Sequence, residues 1–108
     1  MRINFTARHY KPSQRLKDYA QDEVKRLEKY YDGIIDCDII LDYQKDIQIA
    51  EIIVGVHGAK LTAQEKTEDI YKSIDIAVSK LERQLKKYKK KHFQQYDVNE
   101  IKKMENIE

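Results

Sequence analysis

The chain has 108 residues, 41% hydrophobic and 37% charged, with one cysteine and a formal net charge of +2. That length fills one domain with a single core, and whole-molecule charge names no partner. A lone Cys37 excludes an intrachain disulfide framework and fits a reducing compartment; with no secretory apolar run and no membrane-length segment, a cytoplasmic protein with no membrane partner is expected.

Residues 2–9 alternate, with Ile3, Phe5 and Ala7 on one face and Arg2, Asn4, Thr6 and Arg8 on the other, the period of a half-buried strand. Pro12 interrupts it and Ser13 suits a helix N-cap. From Gln14 to Tyr31 the period turns helical, and Leu16, Ala20, Val24, Leu27 and Tyr31 face inward. Lys25, Arg26 and Lys29 lie outside near its end, and Asp32-Gly33 reads as a stop with Gly33 in the left-handed region.

Residues 34–44 alternate again: Ile35, Cys37, Ile39, Leu41 and Tyr43 oppose Asp36, Asp38, Ile40 and Asp42. Lys45-Asp46 is a short connection to a β-rich run over 47–57, where Ala50, Ile52, Val54 and Val56 oppose Ile47, Ile49, Glu51 and Ile53. His57-Gly58-Ala59-Lys60 makes a tight hairpin, and a shorter strand over 60–66 carries Leu61 and Ala63. Residues 69–92 then place Ile70, Ile74, Ala77, Val78, Leu81, Leu85 and Tyr88 on one helical stripe, with Thr67 as a capping hydroxyl and Glu68 and Asp69 suiting the positive end of the dipole.

Strands joined by short turns pair as an antiparallel meander, and two amphipathic helices must share one sheet face. The expected fold is a two-layer α+β domain, β-α-β-β-β-α, with a four-stranded sheet and two helices on one face, like the double-stranded-RNA-binding modules. Residues 1–92 form this domain. Residues 93–108 form a tail expected to be flexible, in which Val98, Ile101, Met104 and Ile107 permit a short helix against a partner.

Charge is distributed unevenly. Residues 80–91 hold seven cations and one acid, whereas residues 32–51 hold six acids and one lysine. Lys80, Arg83, Lys87 and Lys90 recur at i, i+3, i+7 and i+10, in a file along one side of the helix. The helix dipole rewards cations only within its last turn, so helix stability does not explain a file three turns long. Cations at this spacing can track a phosphate backbone without reading bases; a merely solvated helix end is the plainer alternative.

Most of the eight tyrosines read as packing residues at the core edge, with Tyr10 the one expected to be exposed beside Arg8, His9 and Lys11. His9, His57, His92 and Cys37 share no ligand spacing, so neither metal nor cofactor is expected. Asp36, Asp38 and Asp42 read as a solvated strand face, and no nucleophile–base pair or phosphate-binding glycine loop points to an enzyme or a small-molecule substrate.

Several stretches resemble the ribosome hibernation factors, the promoting factors and ribosome-associated inhibitors once called modulators of an alternative sigma factor. They are Ile3-Asn4-Phe5-Thr6-Ala7-Arg8, Lys25-Arg26-Leu27-Glu28-Lys29-Tyr30-Tyr31, Glu68-Asp69-Ile70-Tyr71 with Ile74-Asp75, and Lys80-Leu81-Glu82-Arg83-Gln84-Leu85 with Lys87. The resemblance implies a non-enzymatic factor of the short form, lacking the long form's dimerisation domain. Its partner would be the small subunit of the 70S ribosome, where it would occupy the path of messenger RNA and the A- and P-site transfer RNAs during stationary phase or stress. Carried over by position, the rRNA-binding residues would be Arg26, Lys29, Lys80, Arg83, Lys87 and Lys90, with Arg8, Lys25, Lys86 and Lys91 as further basic candidates. The competing expectation is an interaction module for an acidic protein such as a transcription factor.

Overall fold

The structure, a computed structural model, describes residues 1–104, with side chains for residues 1–91. The elements are β1 (Arg2–Ala7), α1 (Gln14–Lys25) followed by a 3-10 turn (Arg26–Lys29), β2 (Asp36–Gln44), β3 (Ile47–Val56), β4 (Ala59–Thr67) and α2 (Ile70–Met104). The sheet order is β1-β2-β3-β4; β1 runs parallel to β2, and the other pairings are antiparallel. Both helices cover one face of the sheet, as the alternation implies. The domain is α+β in two layers.

The core lies between those layers. Cys37, Ile39 and Leu41 of β2 and Ala50, Ile52 and Val54 of β3 are fully buried beneath Ala20, Val24, Leu27, Ile74, Ala77, Leu81 and Leu85. The opposite alternation leaves Asp36, Asp38, Asp42, Glu51, Ile40, Ile49 and Ile53 on the open face, each half-buried. Ser73 is the one buried polar side chain among the described residues. Its hydroxyl donates to the Gln48 carbonyl at 2.8 Å and lies 2.7 Å from the Thr67 hydroxyl, so no polar group is stranded there.

Several local expectations are corrected. Ser13 does cap α1, accepting from the Leu16 amide at 3.1 Å, but the α-helix tightens after Lys25 into the 3-10 turn and does not run to Tyr31. Gly33 has no positive φ; a Cβ there would meet the outer end of the Tyr31 ring, so a larger residue would have to push that ring aside. Positive φ is found instead at Gly58, in the two-residue turn between β3 and β4, and at His9 and Lys45. The chain enters β2 at Asp36, two residues later than the alternation over 34–44 implies, and Ile34 is buried while Ile35 is 58% exposed. Tyr43 is exposed as well, at the far end of β2.

The cap of α2 is Asp69, whose carboxylate accepts from the Tyr71 amide at 2.9 Å. Thr67 still belongs to β4, and its hydroxyl holds the Asp69 amide. Tyr10 is not exposed. It packs edge-on to Tyr43 at 5.6 Å, with its hydroxyl buried and without a hydrogen-bond partner among the described residues. The backbone of α2 passes residue 92 unbroken to Met104; the side chains of the tail, and its last residues including Ile107, lie outside the described residues.

Candidate nucleic-acid interface

Two seams flank the outer side of α2. Towards β4, Gln84 donates to the Thr62 carbonyl at 2.9 Å and the Lys80 ammonium meets Glu65 at 3.1 Å. Towards α1, Tyr19 donates a short hydrogen bond to Asp75, Arg26 reaches Glu82 at 3.8 Å, and the Lys86 ammonium lies 5.0 Å from the centre of the Tyr30 ring. The buried stripe of Ile74, Ala77, Val78, Leu81 and Leu85 fixes the rotation of the helix about its axis, with these contacts along its margins. Arg83, Lys87 and Lys90 therefore emerge between the seams, exposed, with no acidic partner among the described residues.

Two shallow grooves run along this side. One is lined by Lys80, Arg83, Gln84, Lys86 and Lys87; the other by Lys29, Tyr30, Lys86, Lys89 and Lys90. Lys86 borders both, so the cations from the 3-10 turn to the end of the file form one surface. Lys25 and Lys91 are exposed near it, at the end of α1 and further along α2. Arg8 is elsewhere: it follows β1, where its charge helps hold the Asp42 carboxyl down.

Lys80 and Arg26 are not free. Lys80, with Glu65, forms a pair in which the lysine hydrogen bond, then the Lys66 amide, holds the Glu65 carboxyl below its usual value. Arg26 is shared between Glu23 at 3.0 Å and Glu82 at 3.8 Å. Burial raises the Glu23 carboxyl, and the Arg26 charge opposes that rise. Exposed pairs of this kind contribute at most about 1 kcal/mol, so a phosphate can displace either carboxylate. Sequence spacing found the file but missed the Lys80–Glu65 and Arg26–Glu82 pairs, because they depend on how β4 and α1 are set against α2.

The open sheet face carries both signs of charge, and three of its carboxylates are held by β1 and the residues just after it. The parallel register places Arg2 beside Asp36 and Asn4 beside Asp38, giving an ion pair at 3.5 Å and a hydrogen bond at 2.8 Å. His9 holds Asp42 at 2.8 Å, and that hydrogen bond, with the Tyr43 amide, keeps the Asp42 carboxyl below its ordinary value. A Cβ at Gly55 would collide with the Asp36 carboxylate, so the glycine gives that group its place. Among the described residues no three His, Cys, Asp or Glu side chains converge as a metal site would require. Nor is any described helix long and apolar enough to cross a membrane.

The sequence profile described as "Sigma 54 modulation protein / S30EA ribosomal protein" matches residues 3–92. A ribosome hibernation promoting factor from Pseudomonas putida is 34% identical over 91 residues, which cover 84% of this chain and 89% of that protein. Among solved structures, a ribosomal subunit interface protein from Coxiella burnetii superposes with a TM-score of 0.78 at 31% identity, over 82% of this chain and 98% of that one. The N-terminal domain of Protein Y from Thermus thermophilus gives 0.76 at 30% identity, over 82% and 99%.

Proposed function

The chain belongs to the sigma 54 modulation protein / S30EA ribosomal protein family, and on that premise we propose that it is a cytoplasmic ribosome hibernation factor that silences translation by occupying the small subunit. The cationic side of α2 contacts ribosomal RNA in the channel otherwise used by messenger RNA and the A- and P-site transfer RNAs. Arg83, Lys87, Lys90 and Lys29 supply cations that no described acid neutralises, and Lys80 and Arg26 join when phosphates displace their carboxylates. The role requires occupancy and no chemical step.

One observation carries this reading. The file of cations stands outward between two packed seams, and Arg83, Lys87 and Lys90 within it have no acidic partner among the described residues. A polyanion therefore meets a row of unneutralised cations along that side. The groups are point charges on helical spacing, suited to a backbone and not to base edges.

The test is co-sedimentation with purified small subunits, alone and against transfer RNA. Binding that transfer RNA competes away, and that falls roughly a thousandfold between about 50 and 200 mM salt for about six phosphate contacts, is expected. Replacing Arg83, Lys87 and Lys90 with Glu abolishes it and leaves the fold intact. Protein remaining in the supernatant at low salt contradicts the reading. Binding that survives nuclease treatment of the partner supports a protein ligand instead.

A further inference from the structure

Three pairs of tyrosines are accounted for by edge-to-face packing: Tyr10 with Tyr43, Tyr19 with Tyr71, and Tyr31 with Tyr88. Tyr30 stands apart from these pairs. It follows the 3-10 turn, its amide donating to the Leu27 carbonyl at 3.0 Å, and its ring is half-buried at the edge of the core. The remainder of the ring borders the groove formed by Lys29, Lys86, Lys89 and Lys90. Its visible neighbour there is a cation, the Lys86 ammonium 5.0 Å from the ring centre.

Core packing accounts for the inner edge of the ring and leaves its outer part beside four lysines. Bases stack on such rings whatever their identity, and the adjoining cations hold the chain that carries them. Packing of its inner edge pre-positions Tyr30, so little side-chain freedom is lost when a base arrives. Lys86 is the movable part: an exposed cation–ring contact is weak, and a phosphate that draws Lys86 aside leaves the ring accessible. Lys86, Lys89 and Lys90 lie within one turn of α2, so they can grip phosphates on either side of a single nucleotide.

We propose that Tyr30 is a stacking site for one unpaired base of the ribosomal RNA, with Lys29, Lys86, Lys89 and Lys90 holding the flanking phosphates. This rests on the ribosome-binding function proposed above and adds to it a contact that requires a base, which the cationic file does not.

The experiment compares two probes of equal charge, an oligoadenylate of about eight nucleotides and an abasic ribose-phosphate chain of the same length. The full-length protein should bind the oligoadenylate about tenfold more tightly, from the energy of stacking one base. Tyr30→Phe should keep that preference, and Tyr30→Leu, which retains an apolar side chain at the core edge, should bind both probes alike. Equal binding of the two probes by the unaltered protein overturns the proposal, as does a preference that persists in Tyr30→Leu. In parallel, Tyr30→Leu should lose about tenfold in affinity for small subunits, with its thermal midpoint checked so that misfolding is not mistaken for lost stacking. If the unaltered protein binds subunits and Tyr30→Leu matches it, the stacking site fails and the ribosomal role stands. If the unaltered protein does not bind subunits, the ribosomal role fails, and the oligonucleotide comparison still decides the stacking.

Discussion

What a cation on this surface can do depends on the carboxylates already beside it. Arg83, Lys87 and Lys90 meet a phosphate at no cost of a broken pair, whereas Lys80 must first leave Glu65. Glu65→Gln should therefore tighten binding to small subunits several-fold at low salt, because it frees Lys80 and removes one repelling charge. Lys87→Ala should weaken binding and reduce the slope of log affinity against log salt by about 0.9. Unchanged affinity in Glu65→Gln would show that Lys80 takes no part. The free cations were legible from spacing alone, since a helix fixes where i+3 and i+7 point. The pairs were not, because Glu65 comes from a strand whose position relative to α2 no local pattern encodes.

Cys37 makes a second test at this scale. Burial, aided by Asp38 and Asp36, pushes its thiol up to about 12. The folded state therefore keeps the proton that the unfolded thiol releases, and stability present below the ordinary thiol value is lost as pH rises above it. The urea midpoint should fall between about pH 8.5 and 10 in the native protein, and Cys37→Ala should flatten that part of the profile. An identical slope in both would assign the decline to other groups. Modification of Cys37 by a thiol reagent should also require unfolding, since the thiol is both buried and protonated.

Among the elements, α2 depends on how it starts. Asp69→Ala removes the carboxylate from the Tyr71 amide and should cost about 1 kcal/mol, seen as a thermal midpoint several degrees lower by circular dichroism. Thr67→Val loses the hydroxyl that braces the Asp69 amide and meets Ser73, so its effect should not add to that of Asp69→Ala. Fully additive losses would mean that the two groups act separately. Thr67 and Asp69 are both good capping types, so composition could not choose between them. The choice follows from pairing: Thr67 is opposite Gln48 in the sheet, which leaves Asp69 as the residue before the first helical turn. Ser13 posed no such ambiguity, because Pro12 isolates it and the helical period begins directly after it. Ser73 was hidden for another reason, a polar residue on an apolar stripe whose partners come from β3 and β4.

At the scale of the whole molecule, periodicity was enough to give a two-layer domain. Alternation in the three consecutive strands, and a period of three to four in both helices, set both helical stripes against one face of the sheet. The place of β1 was less legible, since Ile3 and Phe5 could be buried at either edge of the sheet. Its parallel pairing with β2 is what brings Arg2 and Asn4 to Asp36 and Asp38, and so quiets the acidic face with its own neighbours. The helices cover only one face of the sheet, and the exposed cations Arg83, Lys87 and Lys90 stand on the outer side of α2.

Orientation on the ribosome follows from the side on which that file stands. Electron cryo-microscopy of small subunits mixed with the protein measures it directly. The expected density lies in the channel between head and body, with Arg83, Lys87 and Lys90 within ion-pair reach of ribosomal RNA phosphates and the face carrying Asp36 and Asp38 turned away. Density outside that channel, or the open sheet face laid against the RNA, would contradict it.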